Sequence, residues 1–158
     1  MQSGLLPDDV FRSRLEAVAA SLSQWAVMHE DCAAIKILNV PGYWKMIAQP
    51  YTTGACPFEL QLRADQRYDV AIGGELYEDL NIGSFVIFLG LADAISNGRV
   101  MRVHVASSLT GALQSVETQV SLQDGTVWAG AQTVVPDDQR CPLESEIREV
   151  RRYLPYRR

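Results

Sequence analysis

The 158-residue chain carries 14 basic and 19 acidic side chains, a net charge of −5, with 47% hydrophobic and 21% charged residues. That composition is ordinary for a soluble globular protein, and the acidic excess argues against general binding to the phosphate backbone of nucleic acid. No apolar run approaches the about 18 residues a membrane span needs; the longest, Phe85–Ala92, is interrupted by Gly90.

The opening M-Q-S-G-L-L-P-D-D has no basic region followed by an apolar core, so no secretory signal is expected. Cys32, Cys56 and Cys141 are odd in number and widely spaced, the pattern of reduced thiols in a cytoplasmic protein. The length suits a single domain over 1–158. Charge is uneven along it: residues 148–158 hold five Arg and one Glu, a local +4 that leaves −9 for the remainder. A basic tail of this kind is expected to fold onto the acidic body or stay solvated.

Pro7-Asp8-Asp9 opens a helix, with proline in the first turn and acids against the positive end of the dipole. Phe11, Leu15, Val18, Leu22 and Trp25 then recur every three or four residues and form one apolar stripe. Residues 33–40 read as a strand ended by Pro41-Gly42. Residues 41–57, rich in proline, glycine and aromatics, read as a loop with one short strand near Trp44–Ala48. Phe58, Leu60 and Leu62 alternate with Glu59, Gln61 and Arg63, and A-D-Q-R turns into a second strand at Tyr68–Ile72.

Asp69, Glu75, Glu78 and Asp79 are the densest carboxylate group. Two carboxylates in one cleft could act as acid and base or hold a hard cation. Placed around Gly73-Gly74 before an apolar run, they read first as a solvated helix start. Ile82–Ser96 is apolar nearly all round and reads as a buried central helix stopped by Asn97-Gly98, with Ser84–Gly90 as a strand the alternative. Val100–Ala106 is a strand that puts Arg102 and His104 on one face. Ser115–Val135 is a hairpin turning at Asp124-Gly125. A two-residue turn there pairs Leu122 with Val127, Val120 with Ala129 and Thr118 with Ala131, which leaves Trp128 on the polar face. Leu143–Tyr153 reads as a short C-terminal helix.

These elements predict an α+β fold: an N-terminal amphipathic helix, one antiparallel sheet of about five or six strands with a central buried helix, and a short C-terminal helix. The expected core includes Phe11, Leu15, Val18, Leu22, Leu60, Val70, Phe85, Leu89, Val103, Val120, Leu122 and Val127.

Chemistry is harder to read. His29 and Cys32 in H-E-D-C are two of the ligands a zinc site would need, and the remaining His104, Cys56 and Cys141 have no paired spacing. No phosphate loop, dinucleotide fingerprint, nucleophile elbow or H-E-x-x-H motif occurs, so no cofactor or metal is expected. The leading expectation is a non-enzymatic module that binds a protein partner or a small apolar ligand, with a homodimer possible. Trp128, Tyr43, Trp44, Tyr51 and His104 are the candidate contact residues. An enzyme using Glu75, Glu78 and Asp79 is a lesser alternative.

Two families are similar in element order. Asp124, Gly125 and Trp128, after a helical middle, resemble the last hairpin of PAS-type sensor domains, over residues 57–135 at most; a pocket between sheet and helices would be implied. The acidic body, size and amphipathic first helix resemble bacterial secretion chaperones, small dimers that bind an extended segment of a partner. No motif assigns the chain to either.

Overall fold

The computed structural model describes residues 5–135 and 145–157. Helix α1 (Asp8–His29) is followed by strands β1 (Ala33–Val40), β2 (Tyr43–Pro50), β3 (Phe58–Arg63), β4 (Arg67–Ile72) and β5 (Glu75–Asn81). Helix α2 (Val86–Ser96) then leads to β6 (Val100–Ser107), β7 (Leu113–Ser121), β8 (Val127–Thr133) and β9 (Glu146–Arg152). The fold is α+β, as the patterning predicts, but the strands form two antiparallel sheets. The first has five strands in the order β1-β2-β3-β4-β5, and the second has four in the order β8-β7-β6-β9.

The first sheet is a meander of tight turns. Pro41-Gly42 joins β1 to β2 directly, with Val40 opposite Tyr43, so the region read as a loop contains a full strand over Tyr43–Pro50. Gly73-Gly74 is likewise a two-residue hairpin turn, with Ile72 opposite Glu75 and both glycines at positive φ (58° and 91°). That is the demand of a type I′ turn. Glu75, Glu78 and Asp79 therefore lie on a strand and do not start a helix.

Alternation then sorts this sheet. Trp44, Met46, Ala48, Phe58, Leu60, Leu62, Tyr68, Val70 and Ile72 point to one buried face. Lys45, Glu59, Gln61 and Asp69 lie on the other. Helix α1 buries Phe11, Val18, Leu22, Trp25 and Ala26, as its apolar stripe requires. Helix α2 buries Phe88, Leu91, Ala92, Ala94 and Ile95, while Val86 at its start is exposed. The run read as helix or strand is thus a helix from Val86 onward, with one solvent-facing side. Both helices and the inner faces of both sheets meet in one cluster, which Val100, Val120 and Leu122 join from the second sheet.

The second sheet departs from the sequence reading in two ways. The turn between β7 and β8 is a three-residue loop, 123–125, with the Leu122 N–H bonded to the Thr126 carbonyl at 2.9 Å. Asp124 Oδ1 accepts from the Thr126 N–H (2.9 Å) and hydroxyl (2.6 Å), and Gly125 takes φ 90°. The aspartate thus stabilises a longer turn closed by a left-handed glycine. Pairing slips by one residue, setting Val120 opposite Trp128 and Thr118 opposite Gly130. A one-residue slip turns every β8 side chain over. Trp128 joins the inner face, and Val127, expected in the core, is 54% exposed.

The expected C-terminal helix is the second departure. Residues 146–152 form β9, paired with β6 from Met101↔Arg152 to Ser107↔Glu146. An alternation of charged residues suits an edge strand as well as a helix, and the open edge of β6 supplies the ladder that decides it. The part of the expected helix at 143 and 144 lies outside the described residues.

Beyond β9 the chain straps back across the first sheet. The Leu154 N–H donates to the Gly54 carbonyl (2.9 Å) and the Tyr156 N–H to Ser96 (2.8 Å). The buried Tyr156 hydroxyl donates to the Cys56 carbonyl at 2.6 Å. Arg157 pairs with Asp31 at 2.6 Å, and Arg148 with Glu117 at 2.9 Å. These two arginines of the basic tail fold onto acids of the body.

Candidate functional site: the free edge of the second sheet

The two sheets join along a polar and aromatic seam. Arg102, 6% exposed, reaches from β6 to the end of β4. Its guanidinium donates to the carbonyls of Ile72 and Gly73, to the Tyr153 hydroxyl (2.8 Å) and to Thr118 Oγ1 (3.4 Å). The Tyr77 and Thr118 hydroxyls lie 2.7 Å apart. Trp128 Nε1 donates to the Tyr68 hydroxyl at 3.1 Å, and the indole meets the Tyr77 ring edge-on at 5.3 Å. A Cβ on Gly130 would come within 2.8 Å of that tyrosine ring, so the glycine lets β5 lie directly against β8. Burial raises the pKa of Tyr68 and Tyr77 above the ordinary phenol value.

This seam accounts for Trp128. The ring is half-buried between the sheets, and its apparent isolation on a polar face followed from the two-residue turn. The other candidates do not gather around it. Trp44 is 4% exposed in the core of the first sheet. Tyr43 is half-buried beside it at the start of β2, whereas Tyr51 is 66% exposed just past the far end of the same strand. Eight extended residues separate those ends by about 25 Å. His104 lies on the inner face of β6 opposite Val116 and Glu149, and its buried Nδ1 has no hydrogen-bond partner among the described residues.

Of the carboxylates, Asp69 and Asp79 are brought together by one arginine. Arg63 binds Asp65 (2.5 Å), Asp69 (3.2 Å) and Asp79 (2.5 Å), and Asp69 accepts the Asp79 N–H at 2.8 Å. Asp79 sits in a β-bulge at φ 57°, so this group shapes the edge of β5. Hydrogen bonding to Arg63 lowers the Asp65 pKa. No group of three or more His, Cys, Asp or Glu able to hold a metal occurs among the described residues.

The His29–Cys32 pair is local capping. The Cys32 thiol donates to the His29 carbonyl (3.3 Å), and His29 Nδ1 contacts the Trp25 carbonyl (2.7 Å). Cys32 and Cys56 are free and buried; burial pushes the Cys56 thiol up to about 12 and raises Cys32 as well. Thiols so held are poor nucleophiles at neutral pH. Cys141 lies outside the described residues. An open cavity of about 530 Å³ lies between the start of α1 and the 81–86 segment, walled by Leu5, Phe11, Ile82 and Phe85 together with Arg14 and Gln66.

The most distinctive exposed feature is one the sequence reading passed over. Two open antiparallel sheets have four edge strands, and natural edges are usually blunted by charge, proline or a bulge. Strand β9 carries Glu146, Arg148, Glu149, Arg151 and Arg152 in seven residues. Strand β5 carries Glu75, Glu78 and Asp79 and is bulged. Strand β1 has Lys36 near its centre.

Strand β8, V-W-A-G-A-Q-T, has no charge and no proline, and it pairs with β7 without a shift from Ser121↔Val127 to Ser115↔Thr133. Hydrogen-bonded and non-bonded pairs alternate along an antiparallel ladder. The Leu122–Thr126 bond fixes the phase, so Trp128, Gly130 and Gln132 bond inward to β7. The N–H and C=O groups of Val127, Ala129, Ala131 and Thr133 face the open edge. The side chains of these four residues are exposed on the outer face. The same seven letters are legible in the sequence as an uncharged strand, but which strands end up at edges is not.

No protein-family model matches the chain, and no curated protein or solved structure is significantly similar to it. Among the described residues, no helix is long and apolar enough to cross a membrane.

Proposed function

We propose that the protein is a polypeptide-binding module that accepts an extended strand along the free edge of β8. The observation that carries this reading is the one unblunted edge of four among the described residues, a seven-residue uncharged ladder with its outward backbone groups and small outer side chains open. Strand addition draws its affinity from main-chain hydrogen bonds and asks little of side-chain chemistry. Arg63 neutralises the Asp69–Asp79 pair, and among the described residues the His and Cys side chains form no metal-holding group with it, which favours binding over catalysis. Replacement of the expected C-terminal helix by β9 removes one feature of the chaperone-like element order, so the reading rests on the edge and not on that resemblance.

The test is a displayed library of random eight-residue segments selected against the intact protein. Segments rich in β-branched residues are expected to enrich, and Ala129→Pro should weaken their binding at least about tenfold with the melting temperature held. Proline at that position removes an outward N–H and leaves the β7 ladder intact. Binders indifferent to Ala129→Pro, or no binders to protein shown to be monomeric, would refute the reading.

A further inference from the structure

We infer that the strand accepted by β8 is the β8 strand of a second copy of this chain, joined antiparallel about a two-fold axis; this rests on the edge being the binding surface. A two-fold interface sets one patch against itself, so a charge near the middle of an edge strand comes next to its own copy. That cost falls on each of the other three edges: β9 through Glu149, β5 through Glu78, and β1 through Lys36. Among the described edges, only β8 pairs with itself free of it.

The geometry also sets the register. The outward groups belong to Val127, Ala129, Ala131 and Thr133, so centring the axis on Gly130 places Ala129 opposite Ala131 of the other copy and Val127 opposite Thr133. All seven residues then pair, through about eight main-chain hydrogen bonds, and the two four-stranded sheets become one continuous sheet. The outer surface over β8 itself offers a foreign side chain little depth. The shallow depression of about 250 Å³ there is lined by Ala129, Gly130 and Ala131 and, from β7, by Glu117, Thr118 and Gln119, whereas deep side-chain pockets beside an edge are what give strand addition its selectivity. Small outer side chains instead let two identical strands approach without steric conflict.

Sedimentation velocity across a concentration series tests this with two double substitutions at exposed positions, which leave the core untouched. Wild type is expected to show a monomer–dimer equilibrium. Ala129→Lys with Ala131→Lys sets like charges across the pairing and should raise the dimer dissociation constant at least about tenfold. Ala129→Glu with Ala131→Lys sets opposite charges across it and should retain the dimer. A wild-type protein monomeric up to millimolar concentration overturns the inference, as does a dimer indifferent to the two lysines. If the monomer still captures displayed segments through β8, only the second copy is excluded; if it captures none, the edge reading falls as well.

Discussion

Replacing Phe88 with alanine is expected to lower the free energy of unfolding by about 3–5 kcal/mol, the cost of emptying a fully packed aromatic site. Phe88 has no exposed surface. Its ring meets the Tyr68 ring edge-on at 4.9 Å and lies 6.3 Å from Phe85. It ties α2 to the inner face of the first sheet. The neighbouring Leu89 is half-buried against the same cluster, so Leu89→Ala should cost roughly half as much by area removed from water. Urea titration of both variants checks the pair of values. Equal losses, or a Phe88→Ala loss below about 1 kcal/mol, would mean that α2 does not pack through this face.

The second large effect belongs to Arg102. Removing its guanidinium leaves the Ile72 and Gly73 carbonyls without the donor that satisfies them inside the seam, a penalty of about 1–3 kcal/mol for each buried polar group abandoned. Arg102→Ala is therefore expected to destabilise by about 3 kcal/mol, with the lost packing of the side-chain stem included. Arg102→Met keeps most of the stem but offers no donor, and should recover only the packing part. Thermal unfolding with calorimetry distinguishes these. If Arg102→Met matched wild type, the hydrogen bonds across the seam would contribute nothing to holding the sheets together.

How far the sequence foretold this fold depends on the kind of information each element carries. The stripe Phe11, Val18, Leu22 and Trp25 and the alternation of Phe58, Leu60 and Leu62 are local periodicities, and both elements form as read. Division into two sheets is not local, because nothing in a strand's own letters says which neighbours it pairs with. The C-terminal strand shows the same limit: E-I-R-E-V-R-R accepts either state until the open edge of β6 is in place.

The reading of Trp128 failed for a finer reason. Asp-Gly permits both a two-residue turn and a three-residue turn with a left-handed glycine. The Asp124–Thr126 hydrogen bonds select the second, and one residue of slip reversed the faces of β8. The same slip seals Trp128 into the seam and leaves Val127, Ala129, Ala131 and Thr133 on the exposed face beside the uncharged edge.

Amide hydrogen exchange at residue resolution, followed by NMR, tests the binding role of β8 most directly. Trp128, Gly130 and Gln132, bonded to β7, should be protected under all conditions. Val127, Ala129, Ala131 and Thr133 should exchange fast in dilute protein and become protected at high concentration or with a bound segment. Outward amides that stay unprotected in every case, beside inward amides that stay protected, would contradict a pairing role for this edge.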